Sequence, residues 1–530
     1  MSQIKTSTMG IPSQVVIVGG GTAGWMAASL LQQAWSQESD ASTQITVVES
    51  EDIGTIGVGE GSTPTLREFF RKLGIAENEW MPKCSATYKC GIAFPGWLNG
   101  NGGSPDGYFH PFFSPLDIQT GEAFMRNACL KRRGVNAAVQ PDDFFVGAQL
   151  SRQYLSPRLN VSLPFEPEYA YHFDSALLGK FLRERAKKLG VQHIIGTVSD
   201  VKRTTTGDIE CLYLSRDKRP LKADFFIDCT GFASLLIGKT LETPFYSYSD
   251  NLFNDSAVAI ASPLDNTQPI PSHTESTALS NGWAWKIPLT TRNGNGYVYS
   301  SGYQSAESAE KELRAHMGVS DEVEARHIPM RVGSIRQHWN HNCLAVGLSQ
   351  GFIEPLEATA LMLVQYTLTH FIKAHALALS KGNIEHYRTG FNNNVSQTFA
   401  GIRDYIVAHY QCNTRTDSDY WIDNRSHNHI SDNLAAILQC WDQGGDFEAE
   451  LCAQKHQQVY PRPSWYCLLA GSGRFPVSGQ RIENAHGIVP TPSAAAREYT
   501  AKMSHKFQDH RTLLQTMYGK NFISKGFAPQ

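Results

Sequence analysis

No apolar run in this 530-residue chain is long enough to cross a bilayer; stretches such as Ala360-Leu-Met-Leu-Val364 end far too soon. The start, Met1-Ser-Gln-Ile-Lys-Thr-Ser-Thr8, lacks the apolar core of a signal peptide. Together these absences predict a cytoplasmic protein without membrane association. An excess of either charge is missing as well: 47 Lys and Arg against 50 Asp and Glu give a net charge of −3, which leaves no electrostatic case for a nucleic-acid partner. The 10 cysteines form no C-x-x-C pair and no metal-ligand spacing. No metal is expected, and the thiols read as small buried side chains in a reducing compartment. Internal repeats and low-complexity linkers are missing too. What is present is an ordinary globular apolar content on a chain longer than one simple domain.

The most informative stretch runs from Gln14 to Ser50. Gln14-Val-Val-Ile-Val18 reads as a buried strand leading into Gly19-Gly-Gly21-Thr-Ala-Gly24, then a helix from Trp25 to about Trp35. Gln44-Ile-Thr-Val-Val48 is a second strand ending on Glu49. This is a βαβ unit with the G-x-G-x-x-G fingerprint in the context that gives it meaning. Gly19 permits the tight turn, Gly21 lets backbone approach a pyrophosphate, and Gly24 lets helix and strand pack closely. Thr22 and Ala23 complete the turn ahead of the helix, whose N-terminal amides face the phosphates. Glu49 is placed to accept hydrogen bonds from a ribose.

Further along, Ser50 to Thr65 reads as a glycine-punctuated loop, Thr65 to Leu73 as a helix, and Ala86 to Phe94 as one strand. An aromatic patch, Tyr108-Phe-His-Pro-Phe-Phe113, lies in a loop-rich region. Tyr171-His-Phe-Asp174 precedes an amphipathic helix to Leu189, and a strand with a turn lies near Ile194 to Val201. Buried strands return at Ala223 to Gly231 and Cys343 to Val346, with strand-like segments from Ala257 to about Ser301 between them. A long helix is expected from about Glu357, followed by mainly helical chain without another strand series. A nucleotide-binding fold assembled from separated pieces favours a flavin adenine dinucleotide over NAD. The fold class expected is therefore α/β (α+β overall), an FAD-binding Rossmann-like fold of the glutathione-reductase and flavin-monooxygenase type. Its FAD-binding module would span 12–375, with interleaved substrate-facing segments at about 81–170 and 241–330. A mainly helical substrate-binding region would fill 376–530.

Gly282-Trp-Ala-Trp-Lys-Ile-Pro288 matches the G-W-x-W-x-I-P signature of flavin-dependent halogenases, the tryptophan halogenase family. Val58-Gly-Glu-Gly-Ser-Thr-Pro64, Ile227-Asp-Cys-Thr-Gly-Phe232, Gly296-Tyr-Val-Tyr-Ser300, Gly351-Phe-Ile-Glu-Pro-Leu-Glu-Ala-Thr359 and Ala408-His-Tyr-Gln-Cys-Asn-Thr-Arg-Thr-Asp417 resemble further blocks in the family's order. The resemblance covers roughly residues 12 to 480.

It implies FAD used as FADH2 from a separate flavin reductase. Reduced flavin and O2 would give a flavin hydroperoxide, and halide (bromide or chloride) would attack it to form hypohalous acid. That oxidant would cross a short tunnel to a small aromatic substrate, an indole or tryptophan among the candidates. The resemblance places Val198, Asp228 and Gly347 at the cofactor with the fingerprint residues, and leaves room for a homodimer.

The residue matching the family's lysine is Lys89, the one charge in a neutral, largely apolar stretch from Ser85 to Phe94. An amine facing a dry cavity has a lowered pKa, making it more nucleophilic or a better partner for hypohalous acid. Read without the family pattern, Lys89 is an edge-strand lysine pointing to water. Glu357 matches the glutamate that orients the oxidant and accepts the ring proton. Pro355 favours a helix start that puts Glu357 in the first turn, where ordinary helix-end electrostatics is the alternative. The amides of Thr359 and Ala360 match the halide site. Here the chain reads Glu357-Ala-Thr-Ala360 where the family usually has Glu-Ser-Thr-Gly, so Ala360 adds a methyl beside the halide and resists positive φ. Bromination ahead of chlorination is therefore expected. Trp283 and Trp285 share one face of their strand, either as core or as a wall beside the flavin. His110, Phe112 and Trp465 match the family's substrate pocket. No segment gripping an amino acid's carboxylate and ammonium is recognisable in 450–476.

Two rivals are weighed. A single-component flavin hydroxylase carries a Gly-Asp pair where this chain has Val346-Gly-Leu-Ser-Gln-Gly351. A non-catalytic flavin-binding redox sensor has no need of Lys89, Glu357 and the tryptophan pair together.

Overall fold

The computed structural model describes residues 11–35, 43–51, 59–100, 106–161, 165, 167–265, 267–455, 459–476, 489–519 and 522. Its first organising layer is a six-stranded sheet in the order 339–340, 343–345, 225–228, 14–18, 44–49, 192–195. Gln14–Val18 is central and pairs in parallel with both Gln44–Glu49 and Phe225–Asp228. Val15 to Val18 and Phe225 to Ile227 are all buried, as expected of parallel strands covered on both faces. The strands arrive from distant parts of the chain, because each parallel return needs a crossover. The helix of the fingerprint runs Thr22–Trp35 and packs between Ser175–Lys188 and Ala360–Lys381.

A seven-stranded sheet stands beside it, in the order 325–329, 256–263, 292–299, 282–288, 274–279, 91–94, 108–111. Trp283 and Trp285 point to one face of this sheet, into the main core, while Ala284 and Tyr297 join a smaller cluster on the other. A third small sheet joins Gly59–Gly61, Ala170–Asp174 and Thr87–Lys89.

Several expectations need correction. The single strand expected over 86–94 is two strands in different sheets, Thr87–Lys89 and Gly91–Phe94. Cys90 makes the break, its N–H donating to Ser272 O at 2.7 Å while the chain changes sheets. Part of the expected loop at 50–65 is strand at Gly59–Gly61; residues 52–58 lie outside the described residues. The long helix begins at Ala360, not Glu357, because Pro355 to Ala358 first close a separate turn. The mainly helical C-terminal part also contains one short strand, Phe507–Asp509, which pairs antiparallel with Leu155–Leu159.

Candidate active site

The glycine turn has the shape a dinucleotide needs. Gly19 has φ +113°, and a Cβ there would lie 2.1 Å from Cys229 O. A Cβ on Gly24 would fall 1.9 Å from Gly19 O, so this position is closed by packing. Gly21 is the opposite case: a Cβ would meet nothing within 4 Å, so its backbone faces open space ahead of the helix starting at Thr22. Gly347, at φ +75°, brings the end of the last parallel strand against Ala23, where its Cβ would be 3.0 Å from that of Ala23. Glu49 ends its strand beside the turn, and its Oε2 accepts from His193 Nε2 at 2.8 Å. Open backbone, helix-start amides and a strand-end carboxylate fit an adenine dinucleotide.

Two other cofactor candidates act differently. Asp228 is fully buried and its carboxylate accepts from Thr230 N (3.0 Å), Thr230 Oγ1 (2.6 Å), Leu236 N (2.7 Å) and Ile237 N (2.8 Å). It shapes the turn rather than reaching out of it. Val198 begins a strand of a separate three-stranded sheet and packs on a second apolar cluster.

Lys89 does not point to water. Its side chain is wholly buried, and Nζ donates to Ser62 O at 3.2 Å. The small sheet explains this placement, since Ala170–Asp174 pairs with both Gly59–Gly61 and Thr87–Lys89 and draws Ser62 over the lysine. Nζ lies 5.5 Å from the centre of the Phe112 ring. Burial drives the Lys89 pKa down to about 7, partly opposed by Glu357. Beneath it, His172 is held between Thr87 Oγ1 and Thr274 Oγ1, each at 3.0 Å, and burial keeps it neutral.

Glu357 sits in the turn before the helix, also buried. His409 Nε2 donates to its Oε1 at 2.9 Å, and His110 Nδ1 stands 3.8 Å from Oε2. Burial alone would raise this carboxyl's pKa; His110 in its protonated form, the His409 hydrogen bond and Lys89 outweigh it and hold it below the usual value. The turn closes through Ala358 N to Pro355 O at 3.0 Å. Ala358 takes φ +56°, so the left-handed residue is Ala358, and the expectation that Ala360 must resist positive φ is corrected. Thr359 caps the helix and Ala360 is its first residue; their N–H groups have no protein acceptor among the described residues. Such amides can hold an anion without a cationic side chain.

The pocket walls are aromatic. Tyr405 stacks on Tyr460 with ring centres 3.7 Å apart and meets Trp465 edge-on at 4.9 Å. His110 joins them through Tyr405, at 3.3 Å from Nε2 to the hydroxyl. Trp465 is fully buried behind Tyr405. Trp283 Nε1 donates to Glu354 Oε2 at 2.7 Å, which links the tryptophan strand to the Glu357 turn. Arg462, a cation in the 450–476 stretch, is already paired with Glu122 and Glu448.

The structure thus brings Lys89, His110, Phe112 and Glu357 together. It adds residues the sequence reading passed over: Tyr108, His409, Tyr405, Ser62 and Glu354. All but Tyr405 lie inside the sequence blocks named above, but nothing in the spacing of those blocks shows that the helix Ile384–Gln411 delivers His409 to Glu357.

The tryptophan halogenase family model matches residues 14–487. A 7-chloro-L-tryptophan 6-halogenase, KtzR of Kutzneria sp. (strain 744), is 37% identical over 95% of this chain and 99% of its own length. The tryptophan 6-halogenase SttH of Streptomyces toxytricini is 36% identical over 92% of this chain and 94% of its own. Among solved structures, Tar14, a tryptophan C-6 flavin-dependent halogenase (chlorinase) from taromycin biosynthesis, superposes with a TM-score of 0.83 at 34% identity, covering 95% of this chain and 99% of that one. The fold is accordingly the FAD-binding Rossmann-like fold of those enzymes. Among the described residues no helix is long and apolar enough to cross a membrane. With a dinucleotide cradle, a buried lysine and a buried glutamate in electrostatic reach of each other, and this likeness along nearly its whole length, the chain belongs to the tryptophan halogenase family and is a flavin-dependent halogenase.

Proposed function

We propose that this enzyme halogenates a small electron-rich aromatic, an indole or tryptophan, with bromide used ahead of chloride. The observation that carries the proposal is the Lys89–Glu357 pair: an amine and a carboxylate, both buried, inside walls of aromatic rings. The matched relatives are named for acting on tryptophan or chlorotryptophan, which supports an indole nucleus. Reduced FAD, delivered by a separate reductase and held at the glycine turn, supplies with O2 the oxidation of halide to hypohalous acid.

The chain's own residues do the remainder. Gly19 to Gly24 and Glu49 hold the adenosine and pyrophosphate end, while the Thr359 and Ala360 amides hold the halide. Trp283 and Trp285 wall off the flavin side. Lys89, with its pKa near 7, is available in part as the free amine at neutral pH. It meets the oxidant as a nucleophile toward halogen or as its hydrogen-bond partner. His110, Phe112 and Trp465, with Tyr405, flank the ring to be halogenated. Glu357, kept ionised by its neighbours, accepts the proton the ring gives up.

The test is mass spectrometry of an aromatic panel, tryptophan and indole included, incubated with enzyme, FAD, reductase, NADH and either halide. Lys89→Ala should give no halogenated product. Glu357→Gln should slow product formation by a factor on the order of 10² or more. Full activity in Lys89→Ala would contradict the assignment.

A further inference from the structure

Glu357 is flanked by two histidines, and hydrogen bonding to two tyrosines makes them unlike each other. Tyr108 OH lies 3.1 Å from His409 Nδ1 and has no other hydrogen-bond partner among the described residues. The hydroxyl therefore donates to Nδ1, which leaves the His409 proton on Nε2, aimed at Glu357 Oε1 2.9 Å away. On the other side, Tyr405 OH donates to Ser464 O at 3.0 Å, so its hydrogen is spent. Its oxygen lies 3.3 Å from His110 Nε2 and can only accept there, so the His110 proton is on Nε2. Burial lowers the His110 pKa and favours the neutral ring, whose Nδ1 then carries a bare lone pair. That atom is buried, lacks a hydrogen-bond partner among the described residues, and faces Glu357 Oε2 at 3.8 Å. At 3.8 Å the two atoms are beyond hydrogen-bond length yet close enough to contract into one.

We propose that His110 is the base that receives the ring proton from Glu357, while His409 is a fixed donor that positions the carboxylate, the two roles being set by Tyr405 and Tyr108. This rests on Glu357 taking the ring proton. The C–H bond at the halogenated carbon breaks and its electron pair restores the aromatic ring. The proton passes to Oε2, and Oε2–H gives it to the lone pair of His110 Nδ1. An ionised Glu357 and an imidazolium remain, with no net oxidation or reduction in the step. His409 cannot serve as this acceptor, because its nitrogen toward Glu357 already bears hydrogen.

His110→Phe separates this role from that of an aromatic wall, since it keeps a flat ring and removes the base. Single-turnover bromination is followed with holoenzyme, reduced FAD, bromide and O2, using ordinary and perdeuterated indole. The parent should show no substrate isotope effect, because proton removal is fast. In His110→Phe the rate should fall, by a factor of at most about 10², and a clear normal isotope effect should appear. Tyr405→Phe, which frees His110 to change tautomer, should show the isotope effect to a lesser degree. Nitrogen-15 NMR of the parent, which needs no variant to fold, should find hydrogen on Nε2 and none on Nδ1 of His110. His110→Phe brominating at the parent rate without an isotope effect would overturn the proposal, as would hydrogen on His110 Nδ1. A parent that brominates nothing while showing the expected tautomers would instead fail the assignment of function and leave the tautomer assignment supported.

Discussion

Lys89→Met should abolish halogenation and at the same time stabilise the protein at neutral pH. The parent keeps an amine wholly buried, with a single carbonyl acceptor at 3.2 Å and Glu357 as its nearest counter-charge. Its pKa falls from 10.5 to about 7 on folding. At roughly 1.36 kcal/mol per pKa unit, that bounds the burial penalty at about 5 kcal/mol. Methionine has similar length and flexibility and no charge to desolvate. The attraction to Glu357 is already contained in that shift, so only the orphaning of Ser62 O subtracts from the gain, which leaves about 2–4 kcal/mol. The effect has a direction in pH. Above pH 10.5 the amine is neutral folded and unfolded, so parent and variant should differ least. As pH falls from 10.5 to 7, the unfolded chain binds a proton that the folded protein refuses, and the parent loses stability relative to the variant. Below the folded value of about 7 the difference should level off. Denaturant unfolding of both proteins across this range is the assay. A variant less stable than the parent at neutral pH, or a gap that widens as pH rises, would refute the reasoning.

The glycine turn separates ligand approach from packing. Gly21→Val should lower FAD affinity with little change in the melting temperature, because its Cβ enters open space, and unchanged FAD titration would move the cofactor elsewhere. Gly24→Ala should instead destabilise the fold by about 1–3 kcal/mol or more, since its Cβ would meet Gly19 O at 1.9 Å. For the halide, competition at equal chloride and bromide should yield mostly brominated product, and Ala360→Gly should move the ratio toward chloride. Ala360 is helical, so only its methyl can bear on the halide; an identical ratio in both proteins would remove that methyl from halide selection.

Local chemistry is what the sequence could settle. A buried run followed by G-x-G-x-x-G and a second run ending on Glu49 can satisfy its backbone and its apolar faces only as a βαβ unit. The glycines are required by contacts a few residues away, so their roles followed from spacing. Lys89 and Glu357 could be nominated from the motifs that contain them. Their surroundings could not, because those depend on chain crossings between distant segments. The same stretch of residues 86–94 reads as one strand until Ser272 takes the Cys90 amide and divides it between two sheets. Only that division sends Lys89 under Ser62 and His110 toward Glu357. The helix start was misplaced for a similar reason. Pro355 does favour a turn, but Ala358 takes a left-handed conformation that local preference disfavours and the surrounding packing imposes. The two tyrosines that tell His110 and His409 apart lie on a strand at 108–111 and a helix at 384–411, 297 residues apart in the sequence. Hydrogen-bond direction between them is a property of the folded interior, where every buried donor must find its acceptor, and no reading of neighbouring residues contains it.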